Sequence, residues 1–247
     1  MKILIIGHSH IHALKLAFEA ENYNWPKNLS VEFIQLRAEE YFSIFLYKDR
    51  DDHAQKTKEL AQLISESDAI LVNFYGTIYN VIGLTNDPQP FDFISSSKDE
   101  DRSELGVTYI PKTLMDLQMK NYSHNIKNHI ETLVGITPKN VPIFYFENPA
   151  PVGSEAHIRK YPARYADKIE ERGISPLKTR CKLWQIHEKT ICQYCADAGI
   201  TFLPTSRKVL DKSGMLKPKY CAHDPAHCNA AYGELVLKDA LATLSKR

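Results

Sequence analysis

The first twelve residues, MKILIIGHSHIH, restrict the possible folds more than any other stretch of the chain. The apolar run at residues 3–6 ends at Gly7, and residues 13–20 then have the pattern of a helix. A strand, a tight turn and a helix in this order are typical of the start of a parallel α/β sheet. Residues just beyond the carboxyl end of such a strand project into the crevice where ligands bind, and Ser9 occupies that position.

The same pattern recurs along the rest of the chain. Alternating strands and helices predict an α/β fold in which a five-stranded parallel sheet is covered by helices on both faces. We therefore expect residues 1–247 to form a single domain. Strands are predicted at residues 2–7, 31–36, 69–75, 141–146 and 200–203, and helices at residues 13–21, 54–65, 113–133, 177–198 and 230–244.

Two insertions interrupt this alternation, at about residues 77–111 and 154–175. The first contains Pro88, Pro90 and three consecutive serines, and it has no clear periodicity. Loops of this length in a compact domain are usually functional or mobile. We expect the first insertion to lie over the carboxyl edge of the sheet, as a lid would.

Composition excludes several classes of protein. The formal net charge is +1, so the chain has no general attraction to nucleic acid or to an anionic membrane. No apolar run approaches the ~20 residues of a membrane helix. The run at residues 3–6 is also shorter than the ~7–15 apolar residues of a secretory signal. The cysteine count, 5, is odd, which argues against a disulfide framework. These features predict a cytoplasmic protein with no nucleic-acid or membrane partner and leave its oligomeric state open.

Three residues that together could catalyse acyl transfer fall at predicted strand ends. Ser9 follows the first strand, and Asp224 and His227 follow the fifth. A serine hydroxyl, a histidine that takes its proton and an aspartate that orients the histidine are the parts of nucleophilic acyl transfer. Ser9 would also lie near a helix amino end, which favours the negative charge of an oxyanion. The alternative is that Ser9 or His10 merely caps the first helix.

These motifs resemble those of the SGNH or GDSL hydrolases, a family of esterases and acetylesterases. The family's first motif is a strand followed by Gly-Asp-Ser, and residues 7–9 of this chain read Gly-His-Ser. Its last motif is Asp-x-x-His before the final helix, and residues 224–227 read Asp-Pro-Ala-His. Gly76 after the third strand and the proline-rich exit at residues 148–151 are also similar.

The resemblance implies a flavodoxin-like, three-layer α/β/α fold. It also implies an esterase in which Ser9 is the nucleophile, His227 the general base and Asp224 the residue that orients the histidine, without a cofactor or a metal. The substrate it implies is a small-molecule or carbohydrate ester, above all an O-acetyl or O-acyl group on a sugar. Hydrolysis and acyl transfer are both compatible with it.

The chain departs from the family at three positions. His8 replaces the aspartate beside the nucleophile, residues 37–47 contain no glycine where the family's second motif has one, and Ile78 stands where the third motif has asparagine.

We therefore expect an oxyanion hole built from the Ser9 N–H, the Gly76 N–H and the Asn80 amide. Because removal of one such donor typically costs ~100–1000-fold in rate, a catalytically impaired binding protein is the alternative reading.

Other clusters suggest different chemistry. The alternation of His8, His10 and His12 would suit a metal-dependent hydrolase if the three side chains shared one face. A second group could hold structural zinc, or its cysteines could be small apolar residues of the core. A third group could be a basic and aromatic patch for a sugar or a phosphate, or a solvated helix face. The zinc group is Cys192, Cys195, Cys221, His223, His227 and Cys228, and the patch is Arg159, Lys160, Tyr161, Arg164 and Tyr165.

Overall fold

A computed structural model describes residues 1–20, 23–36, 44–45, 50–94 and 106–246 of the chain. The strands in this part are β1 (Lys2–Gly7), β2 (Ser30–Gln35), β3 (Ala69–Asn73), β4 (Phe91–Phe93), β5 (Thr108–Ile110), β6 (Ile143–Phe146) and β7 (Thr201–Leu203). The helices are α1 (Ile11–Glu19), α2 (His53–Ser65), α3 (Ile78–Gly83), α4 (Lys112–Tyr122), α5 (His124–Ile136), α6 (Glu155–Lys160), α7 (Ala166–Arg172), α8 (Leu177–Asp197) and α9 (Ala230–Leu244). Short 3-10 helices lie at Ala163–Tyr165, Arg207–Val209 and Pro218–Tyr220.

Five strands form one parallel sheet in the order β2-β1-β3-β6-β7. This confirms the predicted α/β fold with a five-stranded parallel sheet. The last residues of the two central strands, Gly7 of β1 and Asn73 of β3, are paired across the sheet. Because all five strands run the same way, the loops that follow them meet at one edge.

Both faces of the sheet are covered by helices. On β1, Ile3 and Ile5 pack on the side of α1 and α9, whereas Leu4 and Ile6 pack on the side of α2 and α5. This alternation follows from the two-residue period of a strand, and a continuous apolar run is expected where both faces are buried.

Helices α1 and α9 lie unusually close together. A Cβ added to Gly233 of α9 would lie 2.0 Å from the carbonyl oxygen of Ala13 in α1. Only glycine permits this approach. It places the amino end of α9, and the loop before it, beside the turn that carries Ser9.

Three local predictions differ from the structure. The helix predicted at residues 113–133 is two helices, α4 and α5, separated at the fully buried Ser123. The third strand ends at Asn73 rather than at residue 75, because Tyr75 has φ 48° and turns the chain away from the sheet. The first helix begins at Ile11 and ends at Glu19, slightly earlier than predicted.

The first insertion does not lie over the site in its described part. Its strands β4 and β5 form a two-stranded parallel ribbon that was not predicted, and Asp92 of β4 forms an ion pair with Lys182 of α8 at 2.9 Å. Of the described residues between 77 and 111, only Thr77 lines a cavity that also contains Ser9. The lid interpretation is therefore wrong for these residues, and the three serines at residues 95–97 lie outside the described part. Among the described helices, none is long and apolar enough to cross a membrane.

Candidate active site

Ser9 lies in the turn between β1 and α1. Gly7 permits the turn because a Cβ there would lie 2.3 Å from the carbonyl oxygen of Asn73. The helix begins after His10, whose side chain makes no capping hydrogen bond, and the Ser9 hydroxyl contacts a histidine instead of the helix backbone. The capping alternative is therefore wrong for the Ser9 side chain.

Asp224 and His227 lie in a short loop that is closed at both ends. The backbones of Cys221 and Cys228 form an antiparallel β-bridge, and the Ala222 N–H donates to the His227 carbonyl at 3.0 Å. Between them the Asp224 carboxylate accepts hydrogen bonds from backbone amides of the loop, including that of His227 at 2.8 Å. The carboxylate thus holds the backbone of the histidine that it also contacts through its side chain.

Asn229 fastens this loop to the final helix. Its side-chain oxygen accepts from the amides of Ala231 and Tyr232 and so caps α9. Its side-chain nitrogen donates to the carbonyls of Lys219 at 2.8 Å and Cys221 at 3.1 Å. One residue therefore connects the helix, the loop and the segment before it.

The structure brings Ser9, His227 and Asp224 into one hydrogen-bonded chain. The distance from Ser9 Oγ to His227 Nε2 is 2.8 Å, and His227 Nδ1 lies 3.0 Å from both carboxylate oxygens of Asp224. Residues 218 positions apart in the sequence thus meet with the geometry that a serine nucleophile, its base and an orienting carboxylate require.

The ionisation of Asp224 fixes the direction of these hydrogen bonds. Burial opposes ionisation of the carboxyl, but hydrogen bonds and charge attraction from His227, together with two backbone amides, outweigh it and lower the pKa of Asp224 to about 2. An ionised carboxylate only accepts, so His227 Nδ1 carries the proton that faces it. In the neutral imidazole, Nε2 is then the acceptor that faces the Ser9 hydroxyl.

Two backbone amides are available beside the nucleophile. Within the described part of the chain, the N–H groups of Ser9 and Gly76 donate no hydrogen bond. Gly76 follows Tyr75, one of two non-glycine residues with positive φ among those that the structure describes, and such backbone conformations concentrate at functional sites. The two amides are the predicted oxyanion donors, and their role stays a prediction.

Asn80 is the third predicted oxyanion donor. It lies in α3, is 2% exposed and lines neither cavity that contains Ser9. Its amide nitrogen has no hydrogen-bond partner among the described residues. Its role as an oxyanion donor stays a prediction.

A buried polar network that the sequence did not reveal lies beneath Gly76. Asn148 Oδ1 accepts from Asn73 Nδ2 at 2.7 Å, while Asn148 donates from its backbone and side-chain nitrogens to Glu188 at 3.0 and 2.8 Å. A Cβ on Gly76 would lie 2.0 Å from Asn148 Oδ1, so only glycine can occupy this position beside the network. The available signal was a charged residue, Glu188, on the inward face of the helix predicted at residues 177–198.

His10 is a second histidine at the site. It is 4% exposed, and its ring centroid lies 5.3 Å from that of His227. Burial, followed by repulsion from His227, lowers the pKa of His10 to about 3, so the ring is neutral near pH 7. A cation in this place would compete with protonation of His227 during catalysis.

The three amino-terminal histidines do not converge on one point. His8 stacks on the ring of Tyr75 at 4.0 Å, His10 is buried beside His227, and His12 is exposed on α1. In the described ranges no three His, Cys, Asp or Glu side chains are grouped so that they could hold a metal ion. The alternative of a metal site at these histidines is therefore wrong for these residues.

The same holds for the proposed zinc cluster. Cys195 is buried in the apolar core of the sheet, whereas Cys192 of the same helix is exposed. Cys221 and Cys228 are also buried, and burial raises the pKa of all three buried thiols. The three buried cysteines are small apolar residues of the core, and His227 is available to accept the proton of Ser9.

Two cavities meet at Ser9, and Asp224 and His227 line both of them. The larger has a volume of about 610 Å³ and extends past His12 and Gln35 towards His223. The smaller has a volume of about 200 Å³ and is lined by Thr77, Pro225, Ala226 and the 3-10 helix Ala163–Tyr165. Each cavity could hold one of the two groups that an ester joins.

The chain was compared with known proteins. No family profile and no curated protein matches the sequence. Solved structures resemble it, among them a Streptococcus pneumoniae protein named for platelet activating factor, with 14% identity, a TM-score of 0.50 and coverage of 98% of this chain and 83% of that one. A protein named as an acylhydrolase from Bacteroides fragilis has 10% identity, a TM-score of 0.50 and coverage of 99% and 86%. A GDSL-like lipase from Bacteroides thetaiotaomicron has 10% identity, a TM-score of 0.49 and coverage of 99% and 88%. The first two of these structures cover nearly the whole of this chain, and their likeness confirms the SGNH hydrolase-like α/β/α fold that the motifs implied.

Proposed function

We propose that this protein is a serine ester hydrolase whose nucleophile is Ser9. The observation that carries the proposal is the hydrogen-bonded chain from Ser9 Oγ to His227 Nε2 and from His227 Nδ1 to Asp224. The fold adds support, because one structure that shares it is named as an acylhydrolase.

The reaction proceeds in two halves. His227 Nε2 takes the proton of Ser9 Oγ as the oxygen bonds to the ester carbonyl carbon, and the resulting imidazolium returns that proton to the departing alcohol as the carbon–oxygen bond breaks. Water, deprotonated by the same nitrogen, then attacks the acyl carbon, and the imidazolium returns that proton to Ser9 Oγ as the bond from Oγ to the acyl carbon breaks, which releases the acid and free Ser9. Asp224 keeps Nδ1 protonated and stabilises the imidazolium throughout.

The oxyanion of each tetrahedral intermediate needs donors near Ser9. The unengaged N–H groups of Ser9 and Gly76 are suited to this role, and each backbone donor of this kind is typically worth ~100–1000-fold in rate. Neutral His10 contributes indirectly, because an adjacent positive charge would make His227 a weaker base.

The substrate class we favour is an O-acetyl or other O-acyl ester of a carbohydrate. The larger cavity has room for a sugar, and His223, which lines it, stacks on Tyr161 at 4.6 Å with an angle of 12° between the rings. Such aromatic faces suit the apolar faces of sugar rings. The five cysteines are all free thiols, which suits the predicted cytoplasmic location.

The proposal is tested by steady-state hydrolysis of 4-nitrophenyl acetate and of an acetylated sugar panel. Ser9→Ala should lower kcat by at least 10³-fold on both, because it removes the nucleophile. Ser245→Ala is the matched control, since Ser245 lies beyond the far end of α9, ~20 Å from its amino end.

The results of these assays distinguish an ester hydrolase from a binding protein. Wild-type turnover that disappears in Ser9→Ala supports the hydrolase, and preference for the acetylated sugars over the simple ester supports the carbohydrate class. Full activity in Ser9→Ala contradicts the mechanism. Wild-type protein that binds the sugars but cleaves no ester would support the binding-protein alternative.

A further inference from the structure

One arginine lines the smaller cavity beside Ser9, and among the described residues no ion pair neutralises its charge. Arg164 is exposed in the 3-10 helix Ala163–Tyr165 and lines this cavity together with Thr77 and Tyr165. In the described part of the chain it forms no ion pair with a carboxylate, whereas nearby Arg159 lies 4.0 Å from Glu155.

The orientation of the guanidinium is nevertheless fixed. Arg164 Nη2 donates to the Tyr165 hydroxyl at 3.1 Å, and the guanidinium carbon lies 5.1 Å from the centre of the Tyr165 ring. Tyr165 is itself 7% exposed, so it provides a rigid support. A guanidinium has five N–H donors, and this arrangement leaves most of them for a ligand.

The backbone beside Arg164 is held in an uncommon conformation. Ala163 has φ 47°, and with Tyr75 it is one of the two non-glycine residues with positive φ in the described chain. Both residues flank the site, one before Gly76 and one before Arg164. Conformations of this kind are unfavourable for residues other than glycine and persist where the surroundings require them.

We propose that the smaller cavity is a subsite for an anionic group of the ester substrate, a carboxylate or a phosphate held by Arg164. The inference rests on the proposed function, because it assigns a charged part of the substrate to a cavity that shares Ser9 with the reaction. Tyr165 and Thr77, two residues with hydroxyl groups, line the same cavity.

One carboxylate of the protein, Asp224, also lines this cavity. Both of its oxygens accept from His227 Nδ1, and one of them also accepts from the Ala226 and His227 amides. Both oxygens of Asp224 are therefore hydrogen-bonded within the loop that carries it. Of the other lining residues, Arg164 is the one that carries a permanent charge, and its sign attracts an anion.

Two matched pairs of esters test the proposal. The first pair is 4-nitrophenyl hydrogen succinate and its neutral methyl ester, which differ by a charge on the acyl side. The second is 4-acetoxybenzoate and methyl 4-acetoxybenzoate, which differ by a charge on the alcohol side. The quantity measured is the ratio of kcat/KM for the charged member to that for the neutral member, at low and high salt.

We expect wild-type protein to favour the charged member of one pair by at least tenfold, about the effect of one charge-assisted hydrogen bond. The favoured pair tells whether the acyl or the alcohol group enters the smaller cavity. Arg164→Ala should abolish the preference, Arg164→Lys should retain part of it, and 0.5 M salt should reduce it. Arg172→Ala, a loss of the same charge at a residue that lines neither cavity and pairs with Glu171, should leave the ratio unchanged.

A ratio near one in wild-type protein, or a preference that survives Arg164→Ala, would overturn the proposal. If no ester is cleaved at all, the proposed function has failed, and binding of monomethyl succinate and 4-hydroxybenzoate by titration calorimetry tests the subsite by itself. Binding at least tenfold weaker in Arg164→Ala than in wild-type protein would support it, and absence of binding to wild-type protein would refute it.

Discussion

Substitutions at Asn229 should distinguish an effect on the stability of the final helix from an effect on the geometry of the active site. Its side-chain oxygen caps α9 through Ala231 and Tyr232, and its side-chain nitrogen holds the carbonyls of Lys219 and Cys221. Alanine at this position removes both functions. Aspartate keeps the capping oxygens, since it is as good a cap as asparagine, but it removes the two donors.

The magnitudes follow from the hydrogen bonds that each substitution removes. The cap is worth about 1 kcal/mol and each neutral hydrogen bond about 1 kcal/mol, so Asn229→Ala should lower the free energy of unfolding by about 2–3 kcal/mol. Asn229→Asp should cost about 2 kcal/mol, because the cap survives while a carboxylate faces two carbonyl oxygens. The effect on catalysis should be larger in proportion. Displacement of His227 by ~1 Å is enough to cost about 100-fold in kcat.

Urea denaturation and ester hydrolysis should be measured on the same preparations. Asn140→Asp is the matched control, because it makes the same change in an exposed turn before β6, at the opposite edge of the sheet. We expect Asn229→Asp to keep most of the stability of wild-type protein and to lose most of its activity. Wild-type activity in Asn229→Asp would show that this side chain does not hold the catalytic loop in place.

Three further predictions concern ionisation and packing. Asp224→Asn favours the wrong tautomer of His227 and should lower kcat on the order of 10⁴-fold with little change in KM; a loss below tenfold would contradict the triad. Burial raises the pKa of Glu147 to about 7 from 4.5, so its contribution to stability is present below pH 4.5 and is lost as pH rises through 7, by about 3 kcal/mol. Glu147→Gln should flatten that decline in urea denaturation, and an unchanged slope would argue against it. Gly233→Ala places a Cβ 2.0 Å from the Ala13 carbonyl oxygen and should lower the free energy of unfolding by about 3 kcal/mol, so a wild-type melting temperature would contradict the packing described.

The sheet could be predicted because its signals are local. Continuous apolar runs such as those at residues 3–6 and 69–72 identify strands buried on both faces, and Gly7 marks where β1 ends. The order of the motifs along the chain was enough to predict that Ser9 lies near Asp224 and His227, because parallel strands place their carboxyl ends at one edge.

The parts that were missed depend on non-local contacts. Strands β4 and β5 have three residues each and exist through pairing with each other, so periodicity cannot reveal them. The break between α4 and α5 falls at Ser123, a residue that is tolerated within many helices. The network of Asn73, Asn148 and Glu188 joins three distant segments, and no spacing in the sequence indicates that they meet.

Activation of Ser9 as a nucleophile can be measured by reaction with a fluorophosphonate probe, read by intact mass, on wild-type protein, Ser9→Ala and Ser245→Ala. We expect one adduct in wild-type protein and in Ser245→Ala and none in Ser9→Ala, because His227 and Asp224 activate a single hydroxyl. Absence of an adduct in wild-type protein, or an adduct that persists in Ser9→Ala, would show that Ser9 is not the activated nucleophile.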